Sequence, residues 1–142
     1  MRFWDSSALV PLVVAQPASR TVDRWLQADE AIAAWTLTPV EISSAIQRLL
    51  RAGAIADGVA DQAERRALDL AESCHVIIEV EDVKRQAQRL LRLHPLRAAD
   101  ALQLAAAVEW CAGRPAGRML HTLDLRLAAA GRREGFDVPP AE

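Results

Sequence analysis

Four acidic residues are set where the sequence gives them little local reason to be. Asp100 lies in LRAADALQLAAAVEW, an alanine-rich apolar stretch that reads as a helix. At helical spacing it shares a face with Leu96, Leu104, Ala107 and Cys111. A carboxylate is a poor helix-interior residue and is costly on a face meant for burial unless something pairs with it. An i, i+3 pair with Arg97 would contribute only about 0.2–0.5 kcal/mol. Asp5 ends the apolar run MRFW, Glu41 opens a helix after AIAAW, and Asp124 follows RMLHT by two residues. Each has an ordinary reading as well. Asp5 or Ser6 can cap the next helix, Thr38 and Glu41 have capping-box spacing, and Asp124 or Thr122 can cap the last helix.

Catalytic and capping roles are compatible, because a helix N-terminus stabilises a nearby negative charge. Four carboxylates in one pocket repel, and a hard divalent cation relieves that repulsion. Oxygen donors without His or Cys point to magnesium or manganese rather than zinc. The general chemistry of such a site is metal-assisted attack of water on a phosphodiester.

These acids must be positioned by the elements between them. MRFW, AIAAW (31–35), HVIIEV (75–80) and RMLHT (118–122) read as strands, the third with the β-branched density of a central strand. FDV (136–138) reads as a short final strand. SSALVPLVVA reads as a helix kinked or broken at Pro11. PASRTVDRWLQAD, TPVEISSAIQRLLRAG with Thr38 as N-cap and Pro39 first in the helix, and DGVADQAERRALDLAESC starting at its Asp read as further helices. EDVKRQAQRLLRLH, the Asp100 stretch from about Arg97 to Cys111, and LDLRLAAAGRREG complete the set. Strands alternating with crossover-length helices predict one α/β domain over 1–142, with a mostly parallel sheet covered on both faces. Functional groups in such sheets gather beyond the carboxyl ends of the strands, where three of the four acids fall.

The composition fits that expectation. The chain has 142 residues, 51 % hydrophobic and 25 % charged, enough for one domain with a core. A net charge of −2 excludes binding polyanions by bulk charge. Cys74 and Cys111 have no CxxC partner, so both read as buried thiols in a reducing compartment. Neither a signal peptide nor a membrane span is read, and the expected location is the cytoplasm.

The motifs around the acids resemble those of PIN-domain ribonucleases, most closely the VapC-type toxins of bacterial toxin–antitoxin pairs. FWDSSALV is similar to the family's first motif, TPVEISSAI to the second, LRAADALQLAAA to the third and HTLDLRLAAA to the fourth. The resemblance spans nearly the whole chain. It implies a Rossmann-like fold and an endoribonuclease dependent on Mg2+ or Mn2+, with Asp5, Glu41, Asp100 and Asp124 holding the metal. Thr122 matches a hydroxyl that supports the fourth acid, and Ser6 matches the residue after the first. A homodimer and a small antitoxin partner are implied too. Gln103 stands where many relatives have His, and His121 where an apolar residue is common; neither is expected to touch the acids.

For RNA phosphates, Arg97 and Arg126 are the candidates nearest the acids. Arg85, Arg89 and Arg92 form a helical stripe that reads as a solvated face. Trp4, Trp25 and Trp35 read as core, and Trp110 is open. A phosphoacceptor receiver domain would need an Asp ending the central strand and a late Lys, whereas the chain's single lysine, Lys84, follows HVIIEV. A catalytically silent PIN-like scaffold binding RNA or protein is the alternative, and the complete quartet argues against it. The acids themselves do not distinguish RNA from DNA.

Overall fold

The computed structural model describes residues 1–141. Strand β1 (Arg2–Trp4) leads into α1 (Ser6–Val13) and α2 (Ser19–Ala28), then β2 (Ile32–Trp35). Helices α3 (Thr38–Arg51) and α4 (Asp57–Ser73) precede β3 (His75–Ile77). Helices α5 (Val80–Leu93) and α6 (Ala98–Trp110) precede β4 (Leu120–His121), and α7 (Leu125–Glu134) follows. The strands form one sheet in the order β3-β2-β1-β4, every pairing parallel.

Alternation along the strands divides the core between two faces. Phe3, Ala33, Trp35, Ile77 and Leu120 pack with α5, α6 and α7. Trp4, Ile32 and Ala34 point the other way, onto α1, α3 and α4. The run of buried alanines Ala105–Ala107 lets α6 lie close against its neighbours, so a helix with little amphipathic contrast becomes a central element of one layer. The fold is thus the expected α/β sandwich with helices on both faces.

Several local readings need correction. β3 is an edge strand, not a central one, and only three residues long. The Glu79 carboxylate accepts from the Ile78 backbone N–H, and the chain turns into α5 at Val80, leaving Val76 and Ile78 exposed. Leu37, not Thr38, occupies the cap of α3, so Thr38 is first in the helix, Pro39 second, and the capping box does not form. Likewise Ala56 rather than Asp57 caps α4. Pro11 is accommodated inside α1, which runs on to Val13. The expected final strand reduces to a single parallel bridge between Met119 and Asp137, with Phe136 buried beside it.

Candidate active site

The chain crosses from β1 to β2 on one side and returns through β4 on the other, so a crevice opens beyond the carboxyl ends of β1 and β4. Asp5 sits there, 3 % exposed, immediately after β1. It caps α1 by accepting from the Ser7 backbone N–H at 3.2 Å. The Ser7 hydroxyl also donates to it, and the Thr122 hydroxyl donates at 2.9 Å. Each hydroxyl carries one proton, and both are aimed at the same carboxylate oxygen, so the 3.2 Å approach of Ser7 Oγ to Thr122 Oγ1 carries no proton of its own. Their lone pairs accept in turn from the next turn of chain: Ser7 Oγ from Leu123 N–H at 2.9 Å, Thr122 Oγ1 from Asp124 N–H at 3.1 Å. Backbone dipoles after β4 thereby polarise hydroxyls that hold the carboxylate after β1.

Asp124 caps α7, accepting from the Leu127 N–H at 2.8 Å, with its side chain on the same crevice. Glu41 projects from the first turn of α3 and Asp100 from the first turn of α6. All three border a cleft of about 1100 Å³, with Asp5 beneath it. Four separate parts of the chain thus bring the four acids to one edge of the sheet.

Electrostatics record their proximity. Burial raises the Asp5 carboxyl above the usual range despite its hydrogen bonds, and the Asp124 charge adds to the rise. Burial raises Glu41 as well, opposed by a hydrogen bond from Gln103 and reinforced by the charges of Asp5 and Asp100. Asp100 is raised by burial and by Asp124 and Asp5, and is partly offset by Arg97 and Arg126. Those two arginines border the cleft without closing an ion pair among the described residues.

Two contacts depart from the sequence reading. Gln103, one turn after Asp100 and buried, donates through Nε2 to Glu41 and, at 3.0 Å, to Thr38 Oγ1. It therefore does touch the acidic set. Its i+3 spacing from Asp100 was the available signal, since that places it on the same helix face. Ser7 is the other: Ser6 reaches Asp5 only at 3.4 Å, and the following serine forms the hub. His121 stays away from the acids by its side chain, lying between the rings of Trp4 (4.4 Å between centroids) and Trp25 (4.6 Å). Trp110 packs on Phe3 and under Arg118. In the basic stripe, Arg85 pairs with Asp82 and Arg89 with Glu134, as a solvated face would.

The PIN domain family model matches residues 2–132 of this chain. The chain belongs to the PIN domain family. At 28 % identity over 141 residues it is similar to Ribonuclease VapC45 of Mycobacterium tuberculosis (strain CDC 1551 / Oshkosh), spanning 99 % of this chain and 95 % of that one. Ribonuclease VapC49 of strain ATCC 25618 / H37Rv matches with the same identity and the same coverage. The PIN fold is shared with the crystal structure of PAE2754 from Pyrobaculum aerophilum, at TM-score 0.62 and 24 % identity over 96 % of this chain and 87 % of that one. It is shared too with a toxin–antitoxin complex from Klebsiella pneumoniae (TM-score 0.65, 18 % identity, 100 % and 98 % covered). FitAcB from Neisseria gonorrhoeae superposes at TM-score 0.66 with 18 % identity over 99 % and 98 % of the two chains.

Among the described residues, no three Asp, Glu, His or Cys side chains stand close enough together to hold an ion as placed. The donor chemistry nonetheless fits a hard divalent cation: among the described residues the cleft offers carboxylate oxygens and no thiolate or imidazole. Among the described residues, no helix is long and apolar enough to cross a membrane.

Proposed function

We propose that this chain is a metal-dependent endoribonuclease that hydrolyses RNA phosphodiester bonds as the toxin of a toxin–antitoxin pair. The convergence of Asp5, Glu41, Asp100 and Asp124 on one cleft carries the reading. Membership of the PIN domain family and similarity to curated VapC ribonucleases support RNA as substrate. The toxin–antitoxin complex among the structural neighbours supports an antitoxin as partner; that this antitoxin is small, and that the chain works as a homodimer in the cytoplasm, are further parts of the proposal.

The four acids would hold Mg2+ or Mn2+. When bound, such a cation polarises the phosphate and lowers the pKa of a water molecule, giving a nucleophile near neutral pH. The rest falls to the chain's own groups. Ser7 and Thr122 fix the orientation of Asp5, and Gln103 fixes that of Glu41. Asp124, held at the start of α7, stays aimed into the cleft. Arg97 and Arg126 meet the substrate phosphate and offset the negative charge around Asp100. Ser6, on the cleft wall, lies within reach of Asp5 and Glu41.

The test is incubation of the purified protein with a mixed RNA pool and Mg2+ or Mn2+, alongside a chelated control. Discrete internal cuts that need the metal support the proposal. Intact RNA under every metal condition, together with no calorimetric heat on titrating Mn2+, would overturn it.

A further inference from the structure

The acidic cleft does not end at the acids. It opens into a second hollow of about 380 Å³, and Val10, Ala45 and Arg48 border both. The two therefore form one groove, running from the carboxylates between α1 and α3 as far as Gln16 and Leu49. Arg48 stands at the join. It lies seven residues beyond Glu41 on α3, about 10 Å along the helix axis and nearly on the same face. Its side chain is exposed and makes no ion pair among the described residues, unlike Arg85 and Arg89 on α5.

We propose that Arg48 is a substrate-positioning residue that holds a phosphate flanking the scissile one, with the RNA strand laid along the groove between α1 and α3. The proposal rests on the reading of the cleft as a ribonuclease site.

Charge argues for it. Three carboxylates face the cleft and a fourth lies beneath, so a polyanion approaching the site is repelled until cations offset them. Arg97 and Arg126 flank Asp100, whereas Arg48 extends the positive rim in the other direction, onto the groove. A guanidinium is suited to this, because its planar fork matches a phosphate with two parallel hydrogen bonds. Among the described residues no aromatic ring borders either hollow, so no ring there offers the bases a stacking surface. The Arg48 contact is to the phosphate backbone and carries no sequence information.

The experiment measures binding in the Asp100→Asn background, so that substrate stays intact. A fluorescent, short single-stranded oligoribonucleotide of mixed sequence is titrated by anisotropy in Mn2+ over a range of salt. Arg48→Gln is compared with Arg48→Lys and with Arg66→Gln on the outer face of α4; thermal melts establish that each is folded. Arg48→Gln is expected to weaken binding about tenfold and to lower the slope of log K against log salt by about 0.7. The lysine variant should restore the slope while recovering only part of the affinity, and Arg66→Gln should match the parent. Unchanged affinity and slope in Arg48→Gln would overturn the proposal, as would a loss equalled by Arg66→Gln. An effect confined to binding of a protein partner, with RNA binding intact, would also overturn it and assign the groove to that partner. Cleavage by the wild-type chain is read separately. A chain that cuts RNA without help from Arg48 refutes this inference alone, and one that binds RNA through Arg48 without cutting it refutes only the nuclease reading.

Discussion

Replacing Ser7 by alanine removes one oxygen and the two hydrogen bonds it makes. The Asp5 carboxylate loses a hydroxyl donor, a bond to a charged group worth about 1.5–3 kcal/mol. The Leu123 N–H loses its acceptor, at a cost of about 1–3 kcal/mol if water cannot reach it. The approach to Thr122 adds nothing, since neither hydroxyl has a proton left for it. The two losses share one atom and do not add fully, so the expected destabilisation is about 2–4 kcal/mol. That is a sizeable part of a typical stability of roughly 5–15 kcal/mol. In a melt it corresponds to a fall of roughly 6–12 °C. Chemical denaturation in the presence of chelator measures it without interference from metal. The adjacent Ser6→Ala, whose hydroxyl lies 3.4 Å from Asp5, should cost under about 1 kcal/mol. Thr122→Val combined with Ser7→Ala should cost more than the sum of the two, because either hydroxyl left alone still serves the carboxylate oxygen and the double change leaves that oxygen only the Ser7 backbone N–H. Equal effects from the two serines, or a loss below about 0.5 kcal/mol for Ser7→Ala, would refute the hub assigned to Ser7.

Other predictions follow from the same geometry. The folded carboxyls of Asp5, Glu41 and Asp100 hold protons more tightly than in the unfolded chain, so their contribution to metal-free stability falls as pH rises through the raised values. A cation binds the ionised forms, so stabilisation by Mn2+ in melts should be small in acid and grow toward neutrality, reaching about 3 kcal/mol at a hundredfold excess over Kd. Burial, with Arg2 nearby, lowers the His121 pKa to about 4, so the stability it confers is complete above its unfolded value near 6.5 and is lost as pH falls to about 4. That loss is at most about 3 kcal/mol, part of which the faces of Trp4 and Trp25 return to the charged ring. His121→Phe should therefore flatten acid denaturation in that window, and an unaltered profile would contradict the assignment. Gly131→Ala would bring a Cβ to 2.7 Å from Leu120 Cδ2 in the core, so it should destabilise α7 by about 1–2 kcal/mol despite alanine's better helix propensity.

The order of strands and helices was legible because hydrophobic period and Gly or Pro punctuation mark it locally, as at Pro39 and Gly135. The acids were legible because each follows a strand or opens a helix, where a parallel sheet collects side chains at one edge. What was not legible depended on non-local contacts. HVIIEV has a central strand's composition, yet only pairing decides that β3 is an edge, and the Glu79 side chain ends it. Thr38 has a cap's composition, but its hydroxyl serves Gln103 on α6 instead. Ser6 and Ser7 are the same residue type, and only the arrival of β4 beside β1 shows which one bridges them. Arg48 gave no signal at all, because the groove it borders exists only once α1 and α3 are packed together.

Asp5, Glu41, Asp100 and Asp124 are proposed to act together as one metal-dependent nuclease site. The most direct test is cleavage of an RNA pool in Mn2+ by the wild-type protein and by Asp100→Asn, prepared identically and with matching melts. Asp100 is half-buried and caps nothing, so its amide counterpart should fold. Metal-dependent internal cuts by the wild type and a loss of at least about a hundredfold in the variant are expected. Equal cleavage by the two proteins would contradict the proposal.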